Sequence, residues 1–207
     1  RSLYDSIRER ITARIAELSA LWKNASEPEL FSELVFCLLT PGAKARSASR
    51  TLEAVRTNGL LYEGSVSALA ECFNAVRFKN NKALNVVLAR EMFLGCGRAG
   101  LRECLLRFPT AFERREWLVR RVRGMGYKEA SHFLRNIGFC EGISILDRHV
   151  LKNLHELGLI GEVPGSLTRK RYLAFEEAMR RYADEIGIPM SHLDFVFWYK
   201  ETGDIFK

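Results

Sequence analysis

The chain has 207 residues, 47% of them apolar, which suffices for one core or two small ones, and a formal net charge of +7 carried by 23 Arg and 9 Lys against 25 acidic residues. No window approaches the roughly 18 uninterrupted apolar residues of a membrane span, and "RSLYDSIRERITARIAEL" is an amphipathic charged segment rather than a secretory leader, so no membrane association and an intracellular location are expected. The arginine-rich balance leans toward a partner with phosphate oxygens, and the five scattered cysteines, with no C-x-x-C and four dispersed histidines, predict buried free thiols, no transition metal and no cofactor.

Nearly every segment has a helical period. Leu3, Ile7, Ile11, Ile15, Leu18 and Trp22 form one stripe of the first helix. "SEPELFSELVFCLLTPG" opens with Ser26 and Glu29 at capping-box spacing, has Pro28 in the first turn and stops at Pro41-Gly42. "ARSASRTLEAVRTNG" ends at Asn58-Gly59; "SVSALAECFNAV" and "NKALNVVLAREMFLGCG" follow, and Pro109 precedes "TAFERREWLVRRVRGMG". Three further helical runs lie in "ISILDRHVLKNLHELGLIG", "SLTRKRYLAFEEAMRRYADEIGIP" and "SHLDFVFWYKETG". Strand-period alternation is sparse, so the expected class is all-α, with the C-terminal helices folded back on the N-terminal ones rather than forming a separate domain.

Gly124, Met125 and Gly126 read as a tight bend between two helices, the second beginning at Tyr127. Such a bend is either an ordinary αα-hairpin with a glycine stop or a site where unpaired backbone N–H groups meet an anion, with Arg120, Arg121 and Arg123 adding charge. Lys128 falls in the first turn of the second helix, where the macrodipole disfavours an ammonium by a few tenths of a kcal/mol to about 1 kcal/mol. A solvated surface lysine is the common fate of that residue type; a partly desolvated one at a helix N-terminus has its neutral, nucleophilic amine favoured. Asp147 follows the apolar run Ile143, Ile145, Leu146 and precedes a helix, a position that suits an N-cap and equally a carboxylate held in a dry wall to steer a proton or stabilise a developing cation. Arg148 and His149 beside it are placed to touch phosphate.

The order G-M-G-Y-K-E-A-S-H-F-L-R-N-I-G, then I-L-D-R-H about 20 residues on, resembles the helix-hairpin-helix DNA glycosylase superfamily, and within it the archaeal-type 8-oxoguanine DNA glycosylase/AP lyases. The dense match spans about 124 to 151, with weaker likeness from "ELVFCLLT" onward and in "LDFVFWYKETGDIFK". The resemblance implies two helical lobes in one unit over 1–207, a hairpin at about 111–138, and duplex DNA with an oxidised base bound by a monomer across the cleft. It also implies base excision through a lysine Schiff base followed by strand cutting by β-elimination.

Carried over residue by residue, Lys128 stands at the family's Schiff-base nucleophile and Asp147 at its essential aspartate. Gly124, Met125 and Gly126 stand at the hairpin that binds DNA backbone, often with a monovalent cation. Phe78 and Trp198 match aromatic positions that hold the extruded base, Arg77 a residue that enters the gap left in the duplex, and Lys207 a chain-terminal lysine that helps to read the oxidised purine. From the residues alone Phe78 and Trp198 fit a core role as well as a stack. Asp194 is expected to complete a capping box with Ser191 in preference to accepting the N7–H of an oxidised guanine. "LLTPGAKARSASR" departs from the family pattern, and nothing in 42–75 receives a role. A non-catalytic helix-hairpin-helix binding module uses the same glycines and arginines without needing Lys128 or Asp147, and a glycosylase for another lesion is a rival within the class.

Overall fold

Caps and breaks that are local in sequence set the helix boundaries of the computed structural model, which describes residues 2–205 and in which every regular element among those residues is helical. The order is α1 (Ser2–Asn24), α2 (Glu27–Leu39), α3 (Ala45–Thr57), α4 (Leu60–Glu63), α5 (Val66–Cys72) with a 3-10 turn at Phe73–Ala75, α6 (Lys79–Phe93), α7 (Leu101–Leu106), α8 (Ala111–Arg121), α9 (Tyr127–Asn136), α10 (Arg148–Glu156), α11 (Arg169–Ile186) and α12 (Met190–Thr202). Ser26 N donates to Glu29 Oε2 at 2.7 Å, the expected capping box, with Pro28 in the first turn. A second box, Thr110 with Glu113, opens α8 and was not anticipated. Nor were α4 and α7, which are too short to display a period.

The apolar residues separate into two clusters. One gathers α2, α3, α6, α8 and α9; α2 is buried from Leu30 to Leu39 and forms its centre, as expected of a helix apolar on all faces. The other joins Tyr4, Ile7, Ile11 and Leu18 of α1 to residues of α10, α11 and α12. The first helix thus packs with the last, and the middle of the chain forms the second lobe. Of the cysteines, Cys37 and Cys104 are buried and Cys72 and Cys140 partly so, but Cys96 is exposed, contrary to expectation: it lies between Gly95 and Gly97 after α6 has ended.

The lobes are joined by a buried polar seam. Arg115 of α8 and Glu176 of α11 have side chains 0% and 2% exposed and pair through two bonds, Nη1 to Oε1 at 2.5 Å and Nη2 to Oε2 at 2.7 Å. Arg115 Nη1 also donates to Ser131 Oγ of α9, and Glu176 Oε1 accepts the Ser144 amide at 2.8 Å. Tyr172 completes the seam: its hydroxyl donates to Ser144 O at 2.6 Å and accepts the Leu146 amide at 3.2 Å. Removing one partner of a buried pair strands the other, so Glu176→Ala is expected to lower unfolding stability by about 3–5 kcal/mol. Urea denaturation checks this; a loss under about 1 kcal/mol would mean the seam does not hold the lobes together.

Candidate active site

The seam determines what meets in the cleft. α9 begins at Tyr127 with Gly126 as N-cap, so Lys128 is its second residue, and the Lys128 ammonium lies 3.0 Å from Glu129 Oε1. This adjacent carboxylate, which the sequence reading passed over, offsets the unfavourable helix-end position of the lysine. Residues 143–146 run non-helically and buried into α10, held by the Tyr172 hydroxyl on the Leu146 amide and the Asp194 carboxylate on the Ile145 amide. Asp147 then caps α10, its Oδ1 accepting from His149 N at 2.9 Å and Val150 N at 2.8 Å. Both of those bonds fall on one oxygen, so the cap does not exclude a second role for the carboxylate.

Lys128 and Asp147 line one groove of about 1120 Å³ together with Arg77, Arg148, His149 and Trp198. A smaller pocket of about 110 Å³ continues inward from it, and Thr40, Ala43, Ala45, Lys128, Asp147 and Trp198 belong to both. Trp198 is half-buried, not core, and stands perpendicular to His149 with ring centroids 5.0 Å apart. Phe78 is not core either: it is 62% exposed, has a left-handed backbone (φ +59°) at the N-cap of α6, and lies under the Arg77 guanidinium. It flanks the mouth of the groove rather than lining it, beside Gly42. Lys207 lies outside the described residues.

Asp194 is not a cap. α12 starts at Met190, ahead of Ser191, which leaves Asp194 in the second turn, buried and facing the inner pocket with Arg135 and His132. Burial pushes its carboxyl up to about 7, against the pull of Arg135 and the Ile145 amide and helped by Asp147 and Glu176. Arg135 is itself buried, over the Phe195 ring at 4.5 Å, and desolvation holds its guanidinium below the usual range. Its place in α9 one turn beyond His132 was the available signal. The wall from Gly42 to Arg46 and a second wall from Val163 to Leu167 carry no motif and went unassigned, yet both border the groove.

At the hairpin, Gly124 has φ +83°, in the left-handed region that favours glycine, and the end of the Asn85 side chain packs against it where a Cβ would stand. Met125 puts its side chain into the core and donates its amide to Val122 O, so the turn offers fewer unpaired amides than expected; the rest come from the first turn of α9. Backbone oxygens suit a monovalent cation. Val122 O and Gly126 O accept from Met125 N and Ala130 N, and since a carbonyl oxygen keeps a second lone pair, backbone carbonyls of the 122–126 turn are the groups that would hold it. Among the described residues no group of His, Cys, Asp and Glu is arranged to hold a metal ion, and no helix is long and apolar enough to cross a membrane.

Residues 11–188 match the family model described as 8-oxoguanine DNA glycosylase. The chain is 43% identical over 205 residues to an 8-oxoguanine DNA glycosylase/AP lyase of Fusobacterium nucleatum, covering 99% of this chain and 94% of that protein. A Korarchaeum cryptofilum protein of the same description is 40% identical over 203 residues, 97% of this chain and 92% of that one. Among solved structures, a Methanocaldococcus jannaschii 8-oxoguanine glycosylase/lyase in complex with 15mer DNA containing 8-oxoguanine superposes with a TM-score of 0.87 at 33% identity, over 100% of this chain and 96% of that one.

The Asp194 carboxyl gives a pH signature. Because its folded value lies above the ordinary 3.8, the folded state holds the proton more tightly, so its contribution to stability is present below about pH 4 and is lost as pH rises through about 7. Asp194→Asn is expected to flatten that part of the stability profile between pH 4 and 8, a difference on the order of a few kcal/mol by denaturant titration. Parallel profiles for the two proteins would show that Asp194 is ionised throughout.

Proposed function

The chain belongs to the 8-oxoguanine DNA glycosylase family and has the helix-hairpin-helix glycosylase fold, and on that premise we propose that it removes 8-oxoguanine from duplex DNA and cuts the strand at the resulting abasic site. The observation that carries this reading is the convergence of Lys128, Asp147 and Trp198 on one pocket opening into an arginine-lined groove. Chemistry at a glycosidic carbon requires the nucleotide outside the stack, at a cost of roughly a few kcal/mol. Stacking on Trp198, with Phe78 at the mouth and Arg77 entering the vacated gap, recovers about 1–3 kcal/mol per aromatic contact. Asp194 accepts from the base at the inner end of the pocket.

Lys128, once its ammonium has given up a proton, attacks C1′ of the damaged nucleotide; the N–C bond forms as the glycosidic bond breaks, the base leaves with the bonding pair and takes up a proton, and the new secondary ammonium loses one. Asp147 faces the positive charge that develops on the sugar. The sugar ring opens to an imine on Lys128, and abstraction of a C2′ proton expels the 3′ phosphate by β-elimination. Hairpin amides and Arg148 and His149 hold the flanking phosphates, and one chain suffices, since the cleft lies between its own lobes.

Lys128→Gln is expected to bind 8-oxoguanine duplex within a few-fold of wild type while forming no borohydride-trapped covalent complex; strand cleavage by that variant would remove the mechanism. Asp147→Asn preserves an acceptor for the α10 cap and isolates the charge. It is expected to lose about 100-fold or more in single-turnover excision with unchanged melting, whereas wild-type turnover would reduce Asp147 to a cap. A trapped band with preformed abasic duplex but none with 8-oxoguanine would assign the protein to another lesion.

A further inference from the structure

Lys82 lies outside every motif, yet it is 4% exposed, and a buried lysine is costly unless its ammonium is paired. Its partners are not carboxylates: Nζ donates to Leu39 O at 2.6 Å and to Pro41 O at 2.8 Å. These carbonyls lie at the C-terminal end of α2, where the last turn has no helical donors left and the macrodipole is negative. The end of α2 is thus capped from two sides: Thr40 Oγ1 donates back to Cys37 O, and a side chain from the first turns of α6 takes Leu39 O and Pro41 O beyond it.

The segment that this cap anchors is the unassigned wall of the pocket. Thr40, Ala43 and Ala45 line the inner pocket, and Gly42, in the left-handed region at φ +64°, packs on Arg77 and Phe78, which immediately precede α6. The helix that carries Lys82 thus presents Phe78 at its N-cap and holds the wall one turn further in. Burial, and then the nearby charge of Lys128, draw the Lys82 ammonium down to about 8, with Glu129 acting in the opposite sense. Lys82 is therefore within electrostatic reach of the proposed nucleophile while its own bonds go to the backbone.

We propose that Lys82 is the positioning residue of the base pocket: by bonding Leu39 O and Pro41 O it holds the 40–45 wall in register with Arg77 and Phe78, so that an extruded base is confined against Trp198. The inference rests on the excision reading above and adds a division of labour to it. Excision needs the base gripped and the wall in place. Strand cleavage at a preformed abasic site has no base to grip and needs only Lys128 and the bound backbone.

The test compares, under single-turnover conditions, excision from 8-oxoguanine duplex with cleavage of abasic duplex by wild type, Lys82→Met and Lys82→Gln. Met keeps the length of the side chain and deletes the donors; Gln keeps an uncharged donor and guards against a Met variant that fails to fold. Melting measurements give the folded fraction of each. The expected result is a loss in excision of 10-fold or more for Met, a smaller loss for Gln, and abasic cleavage within about 2-fold of wild type for both. Excision and abasic cleavage falling together, or neither changing, would overturn the positioning role and leave Lys82 a structural cap. Absence of excision by wild type itself would instead refute the reading on which the inference rests.

Discussion

Everything in the cleft depends on the Arg115–Glu176 pair. Two charges without solvent exposure are tolerated because their bonds are shared out: Glu176 also takes the Ser144 amide, and Arg115 the Ser131 hydroxyl. The pair joins α8 to α11, and its neighbours reach α9 and the segment leading to α10. Because Ser131 lies three residues beyond Lys128, and Ser144 three residues before Asp147, the seam sets the spacing of the two N-termini that bear the proposed nucleophile and carboxylate. A hydrophobic seam of equal volume could hold the lobes, but it would not fix the Ser144 and Leu146 backbone by directed bonds.

The local features of the site were legible in sequence because each is enforced within a turn of helix. The glycines of the hairpin, the start of α9 and the cap at Asp147 follow from backbone rules that need no tertiary information. Asp194 shows the limit of such rules. Ser191 and Asp194 have the spacing of a capping box, but α12 begins ahead of them, because the Pro189 carbonyl accepts from His192 and Leu193 and the helix is already under way. The carboxylate then turns inward to a backbone amide 49 residues distant, which no local pattern encodes.

Lys82 and the two walls were illegible because what they contact is remote in sequence; Arg135 shared an inward face with His132 and bonds its neighbour Asn136, but its stacking over Phe195 is long-range. Phe78 was ambiguous because an aromatic next to an arginine reads alike in a core and at a rim. Its left-handed backbone and its exposure are products of how α6 is launched from the preceding turn. The signal for Lys82 was present in one respect, a lysine among the otherwise small or apolar inward positions of α6 (Ala83, Val86, Ala89), but periodicity alone does not tell a buried ammonium from one that reaches solvent.

The arrangement of helix ends accounts for the choice of charges. α9 and α10 both begin at the groove, so two positive helix poles, the basic side chains Arg77, Arg148 and Lys44, and the hairpin amides meet where a polyanion would lie. That field attracts phosphate and repels positive charge, on a cationic sugar as on the Lys128 side chain. Carboxylates are therefore needed at just those two points. Glu129 stands against the lysine and Asp147 against the place where sugar charge would develop, each in or at the first turn of its helix. DNA affinity and cation chemistry make opposite electrostatic demands, and the fold meets both by seating each acid inside a basic surface rather than by lowering the charge of the groove.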